Sequence, residues 1–244
     1  MNTSHSDYPF DLGTHCPAFV VTNDEAAAWF ATGLSWLYGF NHEEAIGCFR
    51  HAARADDGFA LAWWGIAISS GPFMNKPWEW LTMLEKEQAL AACHGAIAEA
   101  MSRTAYADAM IPVYEAYGDD PDIAALYIDS QIMLTPWQIY DVDKCAPNPE
   151  AREREIQAAL ERSLAGTGAD HIGVLHFDIH VQEMSPTPEK ALPSARRLQE
   201  LAPPDSGHLQ YMPSHIHALV GDFDEATRCS RLSMATDKRF MANL

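Results

Sequence analysis

The sequence predicts an all-α chain, built as a solenoid of antiparallel helix pairs. Three observations carry this. Beyond an N-terminal stretch, almost every segment spaces its apolar residues at helical period. Alanine is abundant while β-branched alternation is nearly absent. Two stretches of the C-terminal third also repeat each other. Pro188-Glu-Lys-Ala191 and Phe223-Asp-Glu-Ala226 hold equivalent places, with Ala191 and Ala226 35 residues apart.

Residues 1–21 read as an extended arm carrying Pro9 and Pro17, and residues 22–244 as a single helical domain. Asn23 or Asp24 is suited to cap a helix beginning near Glu25, because a short polar side chain accepts from an otherwise unpaired first-turn N–H. Residues 29–65 place small residues (Gly33, Ala45, Ala52, Ala60, Ala62, Gly65) around Phe49. Small residues let paired helices approach closely, and the aromatic fills the groove between them. Helices follow at Glu85–Ser102, at Tyr106–Tyr117 and at Pro121–Leu134, the last opened by Asp119-Asp120-Pro121 with proline in the first turn. Residues 135–149 form the longest loop. The repeat then predicts helices over 171–184, 188–201, 207–220 and 223–236, separated by Pro203-Pro204-Asp205 and Gly221-Asp222.

Composition narrows the function. A chain of 244 residues that is 48% hydrophobic supports one sizeable core. Its net charge of −18 argues against nucleic acid or an anionic membrane as partner. Five scattered cysteines with no CxxC fit free thiols in a reducing cytoplasm. The first ten residues have neither the basic nor the apolar region of a signal peptide, and no run reaches the roughly 18 apolar residues of a membrane span. A cytoplasmic location is expected.

The chemistry concentrates in His171-Ile-Gly-Val-Leu-His176-Phe-Asp-Ile-His180-Val-Gln-Glu183 and Gly207-His208-Leu-Gln-Tyr-Met-Pro-Ser-His215-Ile-His217. On a helix, positions 176, 180 and 183 lie within about 60° of one another. Positions 208 and 215 are seven apart, so they also share a face. The repeat aligns His180 with His215 and His176 with Tyr211. The expected metal set is therefore His176, His180, Glu183, His208 and His215. Glu183 is a ligand or general base, and Tyr211 orients substrate. His217 falls opposite His208 and is left out. Asp178, two residues from each histidine of the first pair, is expected at the surface. Met212 is expected in the core and His42 in a cap or turn. Asp129, a carboxylate in an apolar run, needs a partner that the metal site could supply. The aromatic and proline-rich segment holding Trp63, Trp64, Pro72, Phe73, Met74, Pro77, Trp78 and Trp80 packs helices together or walls the groove.

Neutral imidazoles with a carboxylate and no thiolate suit a divalent transition metal, with Fe or Cu ahead of Zn or Mn. The leading reading is a metal-dependent enzyme acting on a small molecule, an oxidoreductase before a hydrolase. Two alternatives stay open. One is a binding or scaffold module for a protein or peptide. The other is a metal-storage or metal-chaperone protein.

The spacing of small residues, turn and Ala-x3-Phe in residues 29–65 resembles the tetratricopeptide repeat, whose period is roughly 34 residues. Longer pieces are similar to a bacterial family described as tetratricopeptide-repeat proteins. They are Tyr38-Gly-Phe-Asn-His42-Glu-Glu-Ala45 with Trp63-Trp64-Gly65, Ala124-Ala-Leu-Tyr127 with Pro136-Trp137, and His176-Phe-Asp-Ile-His180-Val-Gln-Glu183-Met-Ser-Pro186 through Met212-Pro-Ser-His215-Ile. They cover most of residues 22–236. The resemblance implies the solenoid and little chemistry. Family members continue with further helical repeats. The apolar Leu232, Met234, Phe240, Met241 and Leu244 therefore read as a face covered by a second copy, as in a dimer, or by a partner subunit.

Overall fold

A computed structural model describes residues 5–14, 23–56, 59–76, 80–86 and 103–243. Among them stand eleven α-helices and a single two-stranded ribbon, so the fold is all-α. The helices are α1 (Asp24–Tyr38), α2 (His42–Ala55), α3 (Ala60–Ser70), α4 (Arg103–Tyr117), α5 (Pro121–Ile132), α6 (Glu153–Leu164), α7 (Ile172–Glu183), α8 (Leu192–Leu201), α9 (Gly207–Tyr211), α10 (Pro213–Leu219) and α11 (Phe223–Ala242). No helix among the described residues is long and apolar enough to cross a membrane.

Local sequence sets the boundaries. Asn23 caps α1 by accepting from the Ala26 N–H, Asn41 caps α2 through Glu44, and Asp120 caps α5 through Asp122 and Ile123. Neighbours in sequence pair in space: α1 with α2, α2 with α3, α4 with α5, α7 with α8, and both α9 and α10 with α11. Glycines make the tightest pairing possible. A Cβ at Gly33 would stand 2.5 Å from the Phe49 ring, and one at Gly65 would stand 2.7 Å from it.

Helix α7 occupies the centre. It touches α1, α5, α6, α8 and α10, and eleven of its twelve residues are buried. A helix enclosed on every side must partner each polar residue it carries. That demand shapes the site.

Three expectations need correction, and one helix comes without any. The helix predicted over 207–220 is broken into α9 and α10. Pro213 has no N–H to continue the ladder, and its ring crowds the preceding turn. Residues 153–164, where the sequence predicts no element, form α6, which buries Ile156, Ala159, Leu160 and Ser163. Within the 135–149 loop, Tyr140–Asp141 pairs antiparallel with Ala146–Pro147. Asp178 is buried rather than superficial. It accepts from the Ser194 hydroxyl at 2.5 Å, because the back of α7 faces α8 and not solvent. The helix expected at Glu85–Ser102 lies largely outside the described residues. Of the N-terminal arm, residues 5–14 are described. They begin with a 3-10 turn at His5–Asp7, and Tyr8 and Phe10 then pack edge-on against Trp29 and Trp36.

Candidate metal centre

Helix α7 presents His176 and His180 one turn apart, and α9 brings His208 against them. The candidate ligand nitrogens of these three residues lie within 4.8 Å of one another. The Nε2 atoms of His176 and His208 stand 3.1 Å apart, close to the separation of two ligands on one small cation. The rings of His176 and His180 are 4.6 Å apart between centroids.

The surrounding hydrogen bonds set the tautomers. His176 Nδ1 lies 2.7 Å from the Tyr38 carbonyl oxygen, which only accepts. Nδ1 therefore carries the proton, and Nε2 turns its lone pair toward His208. His180 Nδ1 lies 2.8 Å from Glu183 Oε1, so it too donates, and its Nε2 is buried with no hydrogen-bond partner among the described residues. A buried lone pair with nothing to accept is unfavourable in a protein interior unless something else occupies its direction.

Tyr38 ties this arrangement to the core. Its hydroxyl donates to Asp122 Oδ1 at 2.5 Å. His171 Nε2 lies 3.1 Å from the same oxygen, while its Nδ1 caps α7 by accepting from Val174. Gly173 lets Tyr38 come this close, since a Cβ there would meet the ring at 2.9 Å.

Electrostatics favour neutral imidazoles. Burial drives the His176 pKa well below the ordinary value, and His180 and His208 push in the same direction. Burial lowers His180 against the pull of Glu183, and it takes His208 down to about 3. Three uncharged nitrogen donors at neutral pH are the state in which imidazole binds metal. Burial would raise the Glu183 carboxyl, but hydrogen bonds from His180 and His215 outweigh it and hold the group at about 2.

Glu183 stands one step back from the three nitrogens. Its Oε1 accepts a hydrogen bond from His180 Nδ1 and its Oε2 pairs with His215 Nδ1. His215 is outside the three-histidine group. The break at Pro213 puts it on α10 and His208 on α9, so the seven-residue spacing no longer places them on one straight face. His215 Nε2 is nonetheless buried and unpartnered, and its ring lies 6.5 Å from that of His180. Tyr211 sets its ring 4.9 Å from His215 and is 40% exposed, so it flanks the group instead of entering it. His217 points elsewhere, to Gln199 and Asp222. Met212 is fully buried in the core. His42 bonds the Ser69 carbonyl and stacks on Phe73 at 3.9 Å. Asp129 Oδ1 is buried with no partner, in a small cavity that it shares with His42 and Phe40.

Sequence reasoning missed Phe40. Its ring lies 4.8, 5.6 and 5.3 Å from those of His176, His180 and His208. It reaches them from the α1–α2 turn with φ of 56°, a left-handed conformation that a bulky side chain rarely adopts. Trp137 contacts His180 edge-on at 5.5 Å and has φ of 60°. Left-handed backbone at two aromatic neighbours of one polar cluster is strain of the kind that gathers at functional sites, about 1–3 kcal/mol each. The run Tyr38-Gly-Phe-Asn was visible as a turn, but nothing in it signalled a left-handed phenylalanine. The same turn, with α9 and α11, borders a cavity of about 430 Å³ that reaches His208.

A scan against protein-family models finds no match, and a search of curated proteins finds none either.

Proposed function

We propose that the chain is a metal-dependent enzyme, with His176, His180 and His208 holding one divalent transition-metal ion on a TPR-like solenoid. The observation that carries this reading is the buried, unpartnered Nε2 of His180 beside the 3.1 Å pair of His176 and His208 nitrogens. The glycine–Phe49 packing and the pairing of successive helices support the solenoid.

Three neutral ligands leave the ion its full positive charge, and positions left free by three ligands accept water or substrate. The side chains of this chain orient those ligands. Tyr38 and Glu183 fix which nitrogen faces the ion, and Phe40 and Trp137 limit water around the rings. Glu183 was the natural general base for metal-assisted hydrolysis, but both of its oxygens are committed to imidazoles. That favours an oxidoreductase using Fe or Cu over a hydrolase using Zn or Mn.

Loading metal-free, untagged protein with Cu(II) tests the reading by electron paramagnetic resonance. Hyperfine coupling to about three imidazole nitrogens is expected. A spectrum of loosely bound, oxygen-coordinated Cu(II) would contradict it. A tightly held ion with no turnover of any substrate would move the assignment to metal storage.

A further inference from the structure

The cavity that reaches His208 has a definite chemical character. Its apolar wall includes Trp36, Phe40, Phe73 and Phe240. Its polar lining is the carboxylates of Asp205 and Asp237 with the side chains of Asn41, Asn75, Ser206 and His208, all of which can accept a hydrogen bond. Ser206 is 1% exposed, and its Oγ has no hydrogen-bond partner. Asn75 Oδ1 is likewise buried and unpartnered. Asp205 is neutralised by Arg239, but Asp237, which also lines the cavity, forms no hydrogen bond or ion pair with the described residues. The backbone makes room for that carboxylate. A Cβ on Gly207, beside His208, would collide with Asp237 Oδ1. Among the described residues, no lysine or arginine lines the cavity.

An exposed carboxylate at the cavity's edge, two buried unsatisfied oxygens and aromatic faces complement one kind of small molecule. It carries a positive charge, several N–H donors and an apolar body. We infer that this cavity binds a small primary ammonium ion and delivers its carbon skeleton beside His208. The inference names the substrate class for the metal site proposed above and rests on that reading. The cavity itself is a property of the metal-free chain.

The test measures binding of butylammonium to the full-length protein by calorimetry and saturation-transfer NMR. Butanol serves as the uncharged isostere, and tetramethylammonium as a cation without N–H donors. Metal content is measured in parallel. Butylammonium should bind about tenfold or more tighter than either control, and Asp237→Asn should remove most of that preference. Asp237 is exposed on α11, so the variant should fold and keep its metal. Equal binding of butanol, or an unchanged preference in Asp237→Asn, would overturn the proposal. Equal binding of tetramethylammonium would overturn the assignment to a primary amine. Butylammonium binding to wild type that carries no metal would leave the cavity assignment standing and remove the metalloenzyme reading. Metal binding without ammonium selectivity would do the reverse.

Discussion

His180 and Glu183 lie one turn apart on α7, and the imidazole Nδ1 donates to the carboxylate at 2.8 Å. The bond aims the opposite ring nitrogen at His176 and His208, and it makes that nitrogen more basic. Glu183→Gln keeps the shape but weakens the acceptor. Metal affinity should fall about 10–100-fold while the thermal midpoint of the metal-free protein moves little. Competition with a chromophoric chelator measures this. Unchanged affinity would mean that Glu183 has no orienting role.

The helix pairing makes a prediction of opposite signs. Gly33→Ala and Gly65→Ala each drive a methyl into the Phe49 ring. Each should destabilise the chain by about 1–3 kcal/mol. Gly47, inside α2, has nothing within 4 Å of its would-be Cβ. Gly47→Ala should stabilise by roughly 0.5–1 kcal/mol, because alanine loses less backbone freedom in a helix. Denaturant titration reads all three, and a neutral Gly33→Ala would argue against the close pairing.

Acid should weaken the metal-free fold. Burial lowers His208 to about 3 and His42 to about 4. The unfolded chain takes up these protons below about 6.5 while the folded one does not. The stability they contribute is complete above that pH and drains away as pH falls toward 4. Urea midpoints at pH 8, 6 and 5 should decline in that order, and a flat profile would contradict the assigned burial.

Asp129 runs the other way. Burial raises its carboxyl to about 7, so the folded state is penalised as pH rises from the unfolded value near 4 through 7. Asp129→Asn should therefore stabilise the protein by about 1–3 kcal/mol at pH 8 and by almost nothing at pH 4. A loss of stability at pH 8 would show that the carboxylate has a partner that matters.

The three-histidine group was legible in stages. His176, His180 and Glu183 share one unbroken helix, so their spacing translated directly into a face. His208 came within reach through the repeat offset. His215 did not join because Pro213 splits the helix that the repeat implied, and spacing alone assumes a straight axis. Asp178 departs from its expected place at the surface for a related reason. Its rotation away from the histidines was right, but α7 is buried on every side, so facing away meant facing Ser194. Phe40 was not legible, since its position over the rings depends on a left-handed turn and on two helices distant in sequence.

Metal stoichiometry decides the rest. Untagged protein, reconstituted with Fe(II) or Cu(II) and desalted, should hold about one equivalent per chain by elemental analysis. His180→Ala should hold almost none, while His217→Ala should match wild type. The absence of stoichiometric metal in wild type, or its loss from His217→Ala but not from His180→Ala, would contradict a metal centre at His176, His180 and His208.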